Sequence, residues 1–132
     1  MAKGPISVTY PYKTDGFNPP APVLEVSLSL PINPGDIIKI PALLDSGADM
    51  TVIPRTVVQQ LQLKYVDEIP AVGFDGNVKN TFVYSAKIIF DKLGEFIIRV
   101  ITCENDHALI GRDILNKWSV FLKGREKVFE IS

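Results

Sequence analysis

Leu24, Val26, Leu28 and Leu30 alternate with Glu25, Ser27 and Ser29, a period of two that predicts a strand with one wet face. A turn cluster follows over residues 31–36, Pro-Ile-Asn-Pro-Gly-Asp, and then a more apolar strand over Ile37 to Leu44. The two strands read as a hairpin. Thr51-Val52-Ile53 is a short β-branched run, and Pro54 suits the first turn of a helix whose Val57, Val58 and Leu61 fall at helical spacing. Gly73 to Asn77 is a strong turn signal between apolar arms. It leads into a long alternating strand with Phe82, Tyr84, Ala86, Ile88 and Phe90 on one face. Asp91 to Gly94 turns that strand into another, Glu95 to Thr102, and Asn105-Asp106 turns again into Ala108 to Gly111. Ile114, Leu115 and Trp118 predict one short amphipathic helix, and Val120 to Ile131 two strands around Gly124-Arg125. The pattern is mostly β, with one or two short helices.

Most of the ten prolines lie at or before Pro41, with Pro19-Pro20-Ala21-Pro22 the densest run, so the beginning of the chain should be extended and unsuited to helix. Two regions follow: residues 1–22 as an extended Pro-containing arm or propeptide, and residues 23–132 as one domain. At 132 residues, with 46% hydrophobic and 22% charged positions, the chain can bury a core and is neither disordered, collagen-like nor a coiled coil. A net charge of −1 shows no basic excess and argues against a nucleic-acid partner. Charged residues such as Lys39, Asp45, Lys87 and Arg99 interrupt every apolar stretch that could approach a membrane span. With one cysteine no intrachain disulfide can form, and no signal-peptide pattern follows Met1. A soluble cytoplasmic protein is the expectation.

Chemically able residues are few. His107 and Cys103 are the only histidine and cysteine, too few for a zinc site of the usual His and Cys ligands. They read more simply as a turn histidine and a buried strand cysteine than as a thiol–imidazole dyad, because no third orienting group is evident. Lys123, Arg125 and Lys127 read as a solvated hairpin face. No nucleophile elbow, Walker A loop or dinucleotide turn occurs. Carboxylates are therefore the candidate chemistry. Asp45-Ser46-Gly47-Ala48-Asp49 stands at the exit of an apolar strand, and Ile110-Gly111-Arg112-Asp113 follows much later, with the hairpin around Gly73 to Val78 between them. Either piece alone is an ordinary turn. Together, and in this order, they make the chain resemble the retropepsin-like aspartic proteases, single-lobe relatives of retroviral protease and of half a pepsin. The resemblance covers roughly Val23 to Trp118.

That resemblance implies a closed β-barrel half-lobe working as a homodimer, with Asp45 as the catalytic residue of each chain and Ser46, Gly47 and Ala48 supporting its loop. Peptide hydrolysis without a nucleophilic side chain needs one carboxylate to deprotonate water and a protonated one to hold the carbonyl oxygen. Two carboxyls about 3 Å apart share a proton because they cannot both ionise. With one Asp-Ser-Gly per chain, the second carboxyl comes from a second copy. The resemblance further implies an Asp49–Arg112 ion pair near the interface. If buried, it would cost roughly 3–5 kcal/mol to break. Asp113 should cap the short helix or face solvent. A flap carrying Gly73, Phe74, Asp75 and Gly76 would close over a peptide or protein substrate, and no metal or other cofactor is implied. Ala48 stands where pepsin-type sites carry a hydroxyl that can bond the carboxylate, which should extend activity to about pH 5–6. Two rivals remain: a non-catalytic peptide-binding or dimerisation module of the same fold, and a metal-dependent hydrolase using Asp45 and Asp49.

Overall fold

The structure, a computed structural model, describes residues 7–32, 35–72 and 75–132. Its strands are β1 (Val8–Pro11), β2 (Val23–Ser29), β3 (Ile38–Leu44), β4 (Val52–Pro54), β5 (Tyr65–Val72), β6 (Val78–Phe90), β7 (Gly94–Cys103), β8 (Ala108–Ile110), β9 (Val120–Lys123) and β10 (Val128–Ile131). Two short helices, α1 (Arg55–Leu61) and α2 (Arg112–Leu115), follow β4 and β8. Strands β2, β3, β8, β4, β7 and β6 run in that order, and β6 returns to pair with β2, closing a six-stranded barrel. The pairs β3–β8 and β4–β7 are parallel, the remaining neighbours antiparallel. As the alternation predicts, β2 and β3 form an antiparallel pair, with Val26 opposite Ile40. Val26, Leu28, Ile53, Ile88, Val100 and Ile110 fill the barrel, and Ile114 of α2 joins the same core, each full burial worth about 1.5–3 kcal/mol. Ser29 departs from the alternation. It is buried rather than wet, and its hydroxyl donates to the Leu30 carbonyl at 3.0 Å, so the polar group is not left unpaired.

The second layer is a three-stranded sheet in the order β1-β10-β9. Phe129 of β10 is fully buried there, stacked on Tyr10 with ring centroids 5.2 Å apart and tilted against Tyr12. Val8–Pro11 is thus a sheet strand, paired with β10. Helix α1 begins after Pro54 and ends at Gln62, whose left-handed φ of 54° stops it. Helix α2 is shorter than the Ile114–Trp118 pattern predicts. Trp118 lies beyond it, edge-on to Phe90 at 4.8 Å.

Candidate active site

The Asp45 loop is held at both ends by strand pairing. β3 runs parallel to β8, with Ala42 opposite Ala108 and Leu44 opposite Ile110. The pairing continues one step further, where the Asp45 N–H donates to the Ile110 carbonyl at 2.9 Å. Ala42 and Ala108 are fully buried. The loop then turns tightly: the Ala48 N–H donates to the Asp45 carbonyl at 3.2 Å, and the Gly47 N–H to Asp45 Oδ1 at 2.9 Å. A Cβ at Gly47 would stand 3.1 Å from that same Oδ1, so a side chain there would push on the carboxylate. Asp45 is half-buried while Ser46 and Gly47 are exposed. The loop presents its carboxyl at the surface of the single chain.

Gly111-Arg112-Asp113 grips this loop from the other side. A Cβ at Gly111 would lie 2.6 Å from the Met50 carbonyl carbon and 2.9 Å from the Ala48 oxygen. These are rigid backbone atoms, and they explain the glycine by close approach rather than by conformation. The Arg112 N–H donates to the Ala48 carbonyl at 2.9 Å. One arm of the Arg112 guanidinium donates to the Ser46 carbonyl at 2.8 Å, and the other pairs with the Asp49 carboxylate. Asp49 is 83% exposed and Arg112 45%, so in the single chain this is a surface pair and not the buried tie that would cost several kcal/mol to break.

Asp113 neither caps its helix nor faces solvent: the N-cap is Gly111, and Asp113 stands half-buried in the first turn of α2. Its carboxylate accepts the Ile114 N–H at 3.0 Å, the Thr51 hydroxyl at 2.8 Å and the Thr51 N–H at 3.0 Å. Thr51 is fully buried, and its Oγ1 also accepts the Gly111 N–H at 3.3 Å. Sequence reasoning saw Thr51 only as a β-branched strand residue, since nothing local marks a partner 62 positions away.

The remaining candidates lie apart from the loop. Gly73 and Phe74 fall outside the described residues; Asp75 and Gly76 are exposed, and Asp75 accepts the Asn77 N–H at 3.0 Å, closing a turn between β5 and β6. Cys103 Sγ faces the His107 carbonyl at 3.8 Å rather than its ring, and burial pushes the thiol up from its ordinary value. The His107 Nδ1 lies 3.2 Å from Asp106. Among the described residues no group of three or more His, Cys, Asp or Glu side chains could hold a metal ion, and no helix is long and apolar enough to cross a membrane. A hollow of about 480 Å³ lined by Tyr10, Glu25, Lys39 and Asp91 takes no residue from the Asp45 loop.

Known proteins share this fold. The family model for the retroviral aspartyl protease matches residues 19–123. Among solved structures, the retropepsin-like aspartic protease from Rickettsia conorii aligns with a TM-score of 0.61 at 16% identity, over 95% of this chain and 89% of that one. Simian foamy virus protease aligns with a TM-score of 0.54 at 18% identity, over 72% of this chain and 92% of that one. EIAV protease aligns with a TM-score of 0.52 at 23% identity, over 74% of this chain and 86% of that one. No curated protein sequence matches the chain significantly. At these identities the structures speak for the fold, and the family match covers most of the chain and both ends of the gripped loop: the chain belongs to the retroviral aspartyl protease family.

Proposed function

We propose that the chain is an aspartic endopeptidase that works as a homodimer, with Asp45 of each copy supplying half of one site. The observation that carries this reading is the half-buried Asp45 carboxyl, held by its own loop at the surface with no second acid among the described residues hydrogen-bonded to it. Two such carboxyls meeting on a two-fold axis share one proton. The charged one takes a proton from water as it attacks the scissile carbonyl, and the protonated one donates to the developing oxyanion. The proton then passes to the leaving amine. Asp49 does not serve as the second acid, because the Arg112 guanidinium engages it.

The edge of β9 supports a second copy as partner. β9 is an outer strand of its sheet, with Phe121 60% and Leu122 54% exposed. Val120 and Leu122 also border a hollow of about 260 Å³ with Leu44 and Ser46. An open apolar edge pairs readily with another strand, and this one lies beside the catalytic loop. A peptide substrate would lie extended between the active-site floor and the β5–β6 hairpin, bound largely through its backbone, with Asp75 and Gly76 on the side that closes over it. The chemistry uses no cofactor, and the reading includes a cytoplasmic location.

Incubation with a diverse peptide library tests the proposal. The native chain should cleave, Asp45→Asn should not, and pepstatin-like inhibitors should block cleavage while chelators leave it unchanged. A tight transition-state analogue should titrate the activity at one molecule per two chains. Cleavage by Asp45→Asn would overturn the mechanism, and full activity from a sedimenting monomer would overturn the dimer. Retained peptide binding without cleavage would support the non-catalytic module instead.

A further inference from the structure

The Ser46–Gly47 peptide unit is engaged at both ends. Its carbonyl accepts Arg112 Nη1 at 2.8 Å, and its N–H donates to Asp45 Oδ1 at 2.9 Å. The two groups belong to one planar, conjugated amide. A hydrogen bond from a guanidinium draws density from the carbonyl oxygen and makes the N–H on the other side a stronger donor, a cooperative strengthening of about 10–30% per bond. We propose that Arg112 is a positioning residue for the catalytic carboxyl: through this single peptide unit it aims the Gly47 N–H at Asp45 and strengthens that hydrogen bond. The inference rests on the aspartic protease reading and adds to it a role for the ion pair. The arm on Ser46 carries this role, while Asp49 occupies the other arm of the fork.

The geometry suits an arginine and not a lysine. One planar fork bridges a carbonyl and a carboxylate on the same loop, which an ammonium on a flexible stem cannot reproduce in fixed geometry. Gly111 brings the fork this close, since any Cβ there would collide with the Met50 backbone. The contact also supplies part of what Ala48 cannot. Having no hydroxyl to offer the carboxylate, the loop relies on its backbone N–H, and Arg112 strengthens that bond. The charged side chains on the elements that meet here are Asp45 and Asp49 of the loop and Arg112 and Asp113 of α2, with the second copy's Asp45 in the dimer. Asp113 is engaged by Thr51 and the Ile114 N–H and is unchanged in every variant below.

The test compares kcat/KM against pH for the native chain, Arg112→Gln, Arg112→Lys and Asp49→Asn, together with carbon NMR titration of the Asp45 carboxyl, which needs no turnover. Both Arg112 variants should move the whole bell toward higher pH by up to about half a unit, because each proton leaves a carboxyl with a weaker donor on its anion. Asp49→Asn leaves the Ser46 contact in place and frees the guanidinium charge, so its bell should stay or move down. An ion pair with a structural role alone would lower stability in all three variants and leave the bell where it is. That outcome overturns the inference, as does an upward shift in Asp49→Asn equal to that of Arg112→Gln. Arg112→Lys, which keeps the charge and much of the stem, keeps the test open if Arg112→Gln unfolds. A native chain with no cleavage at any pH would instead count against the protease reading, while the NMR titration would still decide the role of Arg112.

Discussion

Thr51 is fully buried and makes four hydrogen bonds: two to the Asp113 carboxylate, one from the Gly111 N–H and one from the Ile101 N–H to its carbonyl. It ties the end of the catalytic loop to the start of α2, while Arg112 ties its middle. Thr51→Val keeps the shape and removes the hydroxyl. The change leaves Asp113 without one donor and the Gly111 N–H without its acceptor, at a cost of about 1–3 kcal/mol for a buried group left unpaired. Chemical unfolding should show a lowered midpoint with an unchanged slope; a native midpoint would mean that the tie contributes nothing. Asp49→Ala should cost only about 0–1 kcal/mol in the same assay, because its pair stands in solvent. The two carboxylates on either side of Arg112 look alike in the sequence. Only the distant threonine makes Asp113 the more firmly held.

At the scale of elements, β6 carries two different jobs along thirteen residues. From Tyr84 to Phe90 it pairs with β7, and β2 joins it from Lys87. From Val78 to Val83 it pairs with β5 alone, so this half stands out from the barrel as a two-stranded ribbon. That is why the single face the alternation predicts changes its burial along β6. Ala86, Ile88 and Phe90 are buried as the pattern predicts, but Phe82 is 53% exposed and packs edge-on to Tyr65, while Val83 turns inward. Asp67, at the irregularity in β5, bonds the Glu68 N–H and pairs with Arg99 of β7, and these contacts hold its carboxyl below the usual range. This exposed contact pins the ribbon at its base, and its contribution is present above the ordinary carboxylate range and lost as pH falls through the depressed value. Amide hydrogens of Val78–Val83 should therefore exchange faster than those of Tyr84–Phe90, and a bound transition-state analogue should slow the former. Equal protection along β6 in the free protein would show that the hairpin does not open. A strand's local pattern was readable throughout; the point where its neighbours change was not, because that depends on pairing across the whole chain.

For the whole molecule, the same division holds between what is near and what is far in sequence. The β2–β3 and β9–β10 hairpins, α1 and the two loop motifs were legible because their signals lie within a few residues of one another. The small sheet was only half legible. Its tail hairpin follows from alternation, but nothing in a proline-rich beginning announces that Val8–Pro11 will pair with Val128–Ile131. This pairing bears on whether residues 1–22 are a removable arm. Tyr10 and Tyr12 lie against Phe129, the Tyr12 N–H donates to the Lys127 carbonyl at 2.8 Å, and Lys13 pairs with Ala21 as the chain turns back toward β2. Burial and the nearby Asp91 together raise the Tyr10 hydroxyl above its ordinary value. A chain beginning at Val23 would uncover Phe129 and leave β10 with an open edge. Uncovering one large aromatic costs about 1.5–3 kcal/mol, and the lost aromatic contacts add about 0.5–1.5 kcal/mol each. The shortened chain should thus unfold at distinctly lower denaturant and lose activity with its structure. A propeptide makes the opposite prediction, a shortened chain at least as stable and more active, and comparing the unfolding midpoints and cleavage rates of the two lengths decides between them.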